Sequence, residues 1–224
     1  MLIKSLQNGG VRTQKVYIDR YTYKPVRLPD PFVLVIDSRE QRPLFLEDRI
    51  EVGSTKIIDC AVCDRLHVVC EKCPDGVDYT VKEYEQYVGV ERKQISDFFT
   101  YIGRDRKRTD YKRAMMAELQ FAGLVVEADI EELEIPYTYS KRITAEHVRG
   151  FITSCNVKYG IHTYFNRNRT DCERWVLDRL VCAVVMVNES MGIKTKFVRK
   201  KRTGNTGKRT STKTKRTSNK PKKK

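Results

Sequence analysis

The segment Phe32–Ile36 is the feature of this sequence that most constrains its fold. Its five residues are all apolar, and a continuous apolar run is typical of a strand that is covered on both faces. A second run of this kind lies at Leu124–Val126. Segments with helical spacing lie between and after these runs. The sequence therefore predicts an α/β domain with a mainly parallel central sheet flanked by helices.

The other expected elements follow from hydrophobic spacing and from capping residues. In chain order they are a hairpin with strands at about 78–82 and 87–91, a helix over Ile95–Ile102, a helix with Thr109 as its N-cap, a helix capped by Thr144, a strand near Ile161–Phe165, and a last helix that begins at the capping box Thr170-Asp171-Cys172-Glu173 and runs to about Val187.

Charge divides the chain into an electroneutral body and a basic tail. Residues 194–224 hold 15 of the 44 basic residues and no acidic residue, so the net charge of +15 belongs to this segment. It contains too few apolar residues to offset the entropy of ordering it. We therefore expect an extended leader at 1–31, a folded domain at 32–190 and a disordered basic tail at 191–224.

The basic tail has two interpretations. Lysine and arginine side chains neutralise phosphates and release counterions, so the favoured interpretation is an arm that binds nucleic acid. The alternative is a solubilising tail or a localisation signal. The candidate phosphate-binding residues are Arg199, Lys200, Lys201, Arg202, Lys208 and Arg209.

Membrane and secreted classes of protein are disfavoured. No segment approaches the ~18 uncharged apolar residues that span a bilayer, and the first residues lack the apolar stretch of a secretory signal. Seven cysteines, an odd number, do not fit a secreted disulfide framework. We expect an intracellular protein with reduced thiols, in the cytoplasm of a prokaryote or of a virus-infected cell, or in the nucleus of a eukaryote.

The predicted hairpin carries a candidate metal site. Asp78 begins the hairpin and Glu91 ends its second strand, so a turn of about four residues brings the two side by side. Lys93 follows Glu91 by two residues and points to the same side of an extended strand. Mg²⁺ prefers one or two carboxylates and keeps several waters, and a nearby ammonium can act on the water or the phosphate. The alternative is a set of surface ion pairs, because 33% of the residues are charged.

A longer pattern surrounds these residues. The string Val90-Glu91-Arg92-Lys93-Gln94-Ile95-Ser96-Asp97, preceded by Asp78-Tyr79 and by Val35-Ile36-Asp37-Ser38-Arg39-Glu40, resembles the XPF-type structure-specific endonuclease family. The resemblance covers about residues 32–187. It implies a restriction-endonuclease-like core and a Mg²⁺- or Mn²⁺-dependent endonuclease that cuts flaps, forks or nicked junctions in DNA and leaves a 5′-phosphate. It also implies a homodimer, with a self-association surface near Cys155 or Trp175.

The same resemblance implies a role for each residue of the pattern. Asp78 and Glu91 would hold the metal, and Lys93 would act on the water and the phosphate. The remaining implied roles are support of the site by Arg92, completion of an acidic cluster by Asp37, Glu40 and Asp97, and binding of phosphate or bracing of a carboxylate by Arg39.

Two features of the chain differ from the family pattern. One residue separates Gly76 from Asp78, where the family has Gly-Asp, so Asp75 is a second candidate ligand. No tandem helix-hairpin-helix module fits after Val187, and the basic tail is expected to replace its binding to phosphates. In this respect the chain is similar to compact single-domain members of the family, including phage-type ones.

Four cysteines precede the hairpin as Cys60-x2-Cys63-x6-Cys70-x2-Cys73. Two such pairs of thiolates can close a tetrahedral Zn²⁺ site, so we expect a structural zinc knuckle inserted at 58–75. His67 is a minor alternative ligand. The other interpretations are two disulfides, which a reducing compartment disfavours, and a redox pair, which lacks its usual βαβ context.

Three functions are therefore considered, and a DNA endonuclease is favoured. The second is a noncatalytic DNA-binding scaffold that partners a nuclease, and the intact acidic set argues against it. The third is a zinc-containing RNA-binding protein, for which the tail and the cysteines alone would suffice.

Overall fold

The computed structural model describes residues 2–7, 10–15, 24–48, 50–135 and 142–198. The candidate phosphate-binding residues of the tail, from Arg199 onward, lie outside this part of the chain. So do residues 16–23 of the predicted leader. Within the leader, Leu2–Gln7 (β1) pairs antiparallel with Gly10–Lys15 (β2).

The described residues form one large sheet of seven strands. These strands are β3 (Val33–Asp37), β4 (Thr55–Cys60), β5 (Asp64–Glu71), β6 (Tyr79–Val81), β7 (Val88–Gln94), β8 (Phe121–Glu127) and β9 (Ile161–Phe165). Their order across the sheet is β4-β5-β3-β6-β7-β8-β9. The predicted hairpin is confirmed, because β6 and β7 pair antiparallel.

The sheet is mixed, so the prediction of a mainly parallel sheet is wrong. The pairs β3–β5, β7–β8 and β8–β9 are parallel, whereas β3–β6, β4–β5 and β6–β7 are antiparallel. The physical reason lies in the short connections of β4–β5 and β6–β7, because parallel neighbours need a crossover of a dozen or more residues.

Five α-helices occur in the described part of the chain. They are α1 (Ile95–Ile102), α2 (Arg106–Ala117), α3 (Ile130–Glu134), α4 (Ala145–Thr153) and α5 (Arg169–Ser190). A π-helical turn, Ser154–Lys158, continues α4 directly. None of the described helices is both long enough and apolar enough to cross a membrane.

The predicted helix starts are partly confirmed. Thr144 begins α4 as expected, and its N–H donates to Nδ1 of His147 at 3.1 Å. Thr109 is not an N-cap, because it lies inside α2, where its hydroxyl donates to the carbonyl of Tyr101 at 2.6 Å. The last helix begins one residue before Thr170, because the side chain of Asn168 accepts from the first turn.

Apolar side chains cover both faces of the sheet. On one face, Leu34 and Ile36 of β3 share a buried cluster with Leu177 and Leu180 of α5. On the other face, the buried side chains come mainly from the four helices α1–α4, the π-helical turn, β8 and β9. The central strands are therefore covered on both sides.

The first residues of the predicted tail belong to the folded body. Phe197 forms a β-bridge with Pro29. The N–H of Asp30 donates to the carbonyl of Lys196 at 2.8 Å, and that of Val198 donates to the carbonyl of Leu28 at 3.1 Å. The predicted boundary at 191 is therefore too early, because backbone hydrogen bonds hold the chain as far as Val198.

Candidate active site

Asp78 and Glu91 lie side by side at the start of the β6–β7 hairpin. Tyr79 pairs with Val90, so Asp78 and Glu91 are the next residues outward in the antiparallel register. The N–H of Asp78 donates to the carbonyl of Val90 at 2.9 Å, and its own carbonyl accepts from Asp37 N–H at 2.9 Å. These bonds fix the backbone of Asp78 between two strands despite the extra residue after Gly76.

Glu91 is a fully buried carboxylate with one oxygen left without a partner. Its Oε1 accepts hydrogen bonds from the ammonium groups of Lys93 and Lys112. Its Oε2 is buried and has no hydrogen-bond partner among the described residues. A buried, unpartnered carboxylate oxygen is costly, and a bound cation would satisfy it.

The same environment disfavours the ionised form of Asp78. Burial, followed by the charge of Glu91, raises the pKa of Asp78 to about 7. Two close carboxylates repel each other when both are ionised, and a divalent cation between them relieves this repulsion. Mg²⁺ is commonly bound by one or two carboxylates and keeps several waters. Asp78 and Glu91 therefore fit such an ion. No group of three or more potential ligands gathers in the described part of the chain, so these two would be its principal protein ligands.

Lys93 bridges the two carboxylates. It donates to Glu91 Oε1, and its Nζ lies 4.0 Å from Asp78 Oδ2. Burial alone would lower the pKa of Lys93, but the charges of Glu91 and Asp78 outweigh burial and raise it. The side chain also lies over the ring of Tyr101, with Nζ 5.2 Å from the ring centre. Lys93 is thus a positively charged group held at the carboxylates.

Arg92 ties the hairpin to the rest of the sheet. Its backbone N–H donates to Asp78 Oδ2 at 2.7 Å. Its buried guanidinium donates to Glu40 Oε1 at 3.1 Å and to Glu127 Oε1 at 2.5 Å. Arg92 therefore orients Asp78 through the backbone and neutralises two further carboxylates through its side chain.

Asp37 and Glu40 lie close to the hairpin, but arginines engage their carboxylates. Asp37 is buried and accepts from the backbone N–H of Arg39 at 2.7 Å and from Arg39 Nε at 2.9 Å. Glu40 accepts from Arg92 and from the N–H of Arg42. Of the two roles considered for Arg39, bracing a carboxylate is therefore the one present in the structure.

A cavity of about 840 Å³ opens over Asp78 and Glu91. One wall is the connection after β3, with Arg39 and Arg42, and the other is helix α2. Asp97, on the exposed first turn of α1, and Asp75, half-exposed and 3.5 Å from Arg39, also line it. All the residues predicted to be catalytic other than Asp37 thus line one cleft, with Asp78, Glu91 and Lys93 in direct interaction and Asp97 further out.

Lys112 of α2 is a site residue that the sequence analysis missed. Its Nζ lies 3.0 Å from Glu91 Oε1. The turn before Asp78 packs closely on this helix, because a Cβ at Gly76 (φ +86°) would lie 3.1 Å from the carbonyl oxygen of Lys112. The available signal was the spacing of Arg108, Tyr111 and Lys112, which puts basic and aromatic side chains on one face of a helix.

The four cysteines do not form the predicted zinc knuckle. Cys60 and Cys63 flank the turn of the β4–β5 hairpin, whereas Cys70 and Cys73 lie at the far end of β5. The seven residue steps of extended strand from Cys63 to Cys70 span about 23 Å at ~3.3 Å per step. Four thiolates so arranged cannot share one ion at Zn–S bonds of about 2.3 Å. All seven cysteines are free thiols.

Comparison with known proteins gives a family for this arrangement. Residues 36–178 match the model of the ERCC4 domain. Two similar solved structures are XPF from Aeropyrum pernix in complex with DNA and XPF from Aeropyrum pernix, each 18% identical with a TM-score of 0.46. The match to the DNA complex covers 70% of the present chain and 66% of the Aeropyrum pernix chain, just under two thirds of its length. The second match covers 78% of the present chain and 70% of the other. No curated protein matches the chain.

Proposed function

The chain belongs to the ERCC4-domain family of XPF-type nucleases, and on this basis we propose that it is a divalent-metal-dependent DNA endonuclease that cuts branched DNA. The observation that carries the proposal is the pair Asp78 and Glu91, with the unpartnered oxygen of Glu91 beneath an open cleft. Family membership alone does not distinguish a nuclease from an inactive relative. The chemistry of Asp78 and Glu91 supports an active nuclease.

Asp78 and Glu91 are the residues that would hold the cation. A bound divalent cation would neutralise charge on the phosphate and acidify a water molecule. The two carboxylates come from neighbouring strands whose backbone hydrogen bonds fix their spacing. A site on paired strands is more rigid than a site on loops.

Lys93 supplies the second element of the chemistry. Its ammonium is held by Glu91 and lies 4.0 Å from Asp78 Oδ2, and its raised pKa keeps it charged at neutral pH. A fixed positive charge in a half-enclosed site stabilises negative charge that develops on a phosphate in the transition state. Lys93 therefore orients the attacking water or stabilises the phosphate, and the products carry a 5′-phosphate as in the family.

Arg92 and Arg39 keep the acidic residues in place. Each interacts with a buried carboxylate, and Arg92 also fixes Asp78 through its N–H. Without these cations, Asp37 and Glu40 would add negative charge beside Asp78 and Glu91. Their role is thus to neutralise Asp37 and Glu40, so that these carboxylates add little negative charge beside Asp78 and Glu91.

A homodimer is a further part of the proposal. Cys155 itself is fully buried, but Val157 in the same π-helical turn is 82% exposed. Trp175 is partly exposed and stacks on Tyr164 with ring centres 5.2 Å apart. A molecular mass of twice 26.2 kDa in light scattering at high protein concentration is expected, and a monomer would remove this part of the proposal.

The rival functions have less support. A noncatalytic scaffold gives no reason for the buried, unpartnered carboxylate oxygen of Glu91 beneath the cleft. The hypothesis of a zinc-containing RNA-binding protein depended on a four-cysteine zinc site, which the described residues do not form. We therefore propose no zinc cofactor.

The experiment is a cleavage assay of the full chain on end-labelled forked, flapped, nicked and plain duplex DNA with Mg²⁺ and with Mn²⁺. We expect cutting near the branch, a 5′-phosphate at the new end, and little cutting of the plain duplex. Equal cutting of all substrates would limit the proposal to an unselective endonuclease. Binding of forked DNA without any cutting in either metal would favour the scaffold.

A further inference from the structure

Helix α2 forms one wall of the active-site cleft and presents three side chains to it. Arg108, Tyr111 and Lys112 all line the cavity that contains Asp78 and Glu91. Their spacing of three and four residues puts them on one face of the helix. Lys112 reaches the carboxylates, whereas Arg108 and Tyr111 lie further out on the exposed part of the same face.

The cleft continues along this face, away from the carboxylates. A second recess of about 220 Å³ shares Lys93, Asp97, Arg108 and Lys112 with the main cavity. A strand whose phosphate lies at Asp78 and Glu91 would therefore have a continuous channel past Arg108. This channel runs between α1 and α2.

Arg108 has the properties of a phosphate-binding residue. Its side chain is exposed and makes no hydrogen bond or ion pair with the described residues. On the opposite wall, the guanidinium of Arg39 is bound to Asp37, whereas Arg42 contacts Glu40 only through its backbone N–H. Arg108 is therefore a cation of the cleft whose donors are available to a ligand.

Tyr111 has the properties of a stacking platform. Its ring is 56% exposed at the rim of the cavity, and the helix beneath it is held firmly. Two residues further along α2, the guanidinium of Arg113 is buried between the rings of Phe151 and Tyr159, 4.6 Å from each ring centre, and anchors the helix there. An exposed aromatic ring on a fixed helix is suited to stack on a base.

We infer that this face of α2 binds an unpaired stretch of DNA beside the scissile phosphate, with Arg108 on the backbone and Tyr111 stacked on a base. The inference rests on the proposed function and adds to it the reason for a branched substrate. Bases within a duplex are stacked on each other and offer no face to Tyr111. An unpaired nucleotide at a fork or flap does offer one.

The test measures binding rather than cutting. The full-length protein, without divalent cations, is mixed with forked DNA that carries a fluorescent adenine analogue at successive unpaired positions near the branch. We expect quenching at one or two adjacent positions, because stacking on a tyrosine quenches such a base. Tyr111→Ala should abolish the quenching and weaken binding about tenfold, or by about 1.4 kcal/mol, as expected for the loss of one stacked base.

Matched variants make the result specific to this face. Tyr111→Phe retains a ring and should retain the quenching. Arg108→Ala should weaken binding and lower the slope of log affinity against log salt by about 0.7, the value for one phosphate contact in a single strand. Lys107→Ala removes a charge from the same helix outside the cavity and should leave the quenching and its position unchanged. Thermal unfolding of each variant shows that the helix is intact.

Two outcomes separate this inference from the proposed function. Unaltered quenching and affinity in Tyr111→Ala would overturn the inference even if the wild type cuts branched DNA. Loss of quenching in Tyr111→Ala, in a protein that cuts no DNA with Mg²⁺ or Mn²⁺, would support the strand-binding face and contradict the endonuclease.

Discussion

The ammonium of Lys112 on α2 lies 3.0 Å from Glu91 Oε1 on β7, on the same oxygen that accepts from Lys93. This contact joins the helix that forms a wall of the cleft to the strand that carries a candidate metal ligand. The other oxygen, Oε2, remains without a partner among the described residues. Lys112 therefore helps to decide which oxygen of Glu91 is left for a cation.

Lys112 is expected to act as a positioning residue. Lys112→Met removes one of two cations at Glu91 Oε1, so Mg²⁺ should reach half-saturation at a lower concentration because less positive charge opposes it. The turnover number should nevertheless fall by about tenfold, because Glu91 loses an orienting hydrogen bond. Steady-state cleavage over a range of Mg²⁺ concentrations measures both quantities. Lys112→Arg should restore turnover, and unchanged values for both quantities in Lys112→Met would contradict the role.

The raised pKa of Asp78 predicts a specific dependence of stability on pH. Burial and the charge of Glu91 raise the pKa of Asp78 to about 7, so the folded protein holds this proton to a higher pH than the unfolded chain, in which the pKa is the ordinary 3.8. Because the folded state binds more protons in this window, the contribution of Asp78 to stability falls as the pH rises through it. Metal binding needs the deprotonated form, so Mg²⁺ affinity should rise over the upper part of the same window.

Asp78→Asn tests this dependence. In the presence of a chelator at about pH 8, the variant should be more stable than the wild type by about 1–3 kcal/mol, because a buried charge is removed. At about pH 5 the difference should shrink, since Asp78 is then protonated. Urea unfolding at both pH values measures it, with the exposed Glu189→Gln as the control. A variant less stable than the wild type at about pH 8 would contradict the assignment.

Arg92 is expected to be essential for stability. Arg92→Met leaves Glu40 and Glu127 without their shared buried cation, and removing one partner of a buried ion pair costs about 3–5 kcal/mol. The control is Arg149→Met, which breaks an exposed pair with Glu134 and should cost less than about 1 kcal/mol. Urea unfolding of the two variants gives both values. Equal losses would mean that the buried pairs of Arg92 contribute no more than a surface pair.

The basic tail remains a proposed arm for DNA. Residues 199–224 carry 13 lysines and arginines, and truncation directly after Val198 spares the residues that pair with Leu28–Asp30. We expect weaker binding to DNA and a flatter salt dependence in the truncated protein, because fewer counterions are released. Cutting at low salt should persist. Identical affinities at two salt concentrations would favour the localisation signal.

The sequence was sufficient to predict the hairpin and the side-by-side placement of Asp78 and Glu91. Strand alternation and a short turn are local rules, and they also put Lys93 on the same side as Glu91. The place of Lys112 depends instead on how α2 docks against the turn at Gly76, and no local rule gives that packing. The spacing of the cysteines predicted a zinc site, but β5 extends between Cys63 and Cys70 and separates the two pairs.

The central claim is that Asp78 and Glu91 together hold the cation used for phosphodiester hydrolysis. The most direct test compares cleavage of forked DNA with Mg²⁺ by the wild type, Asp78→Asn, Glu91→Gln and the control Glu189→Gln. The account predicts that each of the first two variants binds the DNA but loses at least ~100-fold in the rate of cleavage, while the control cuts like the wild type. Cutting by Glu91→Gln at the rate of the wild type would contradict it.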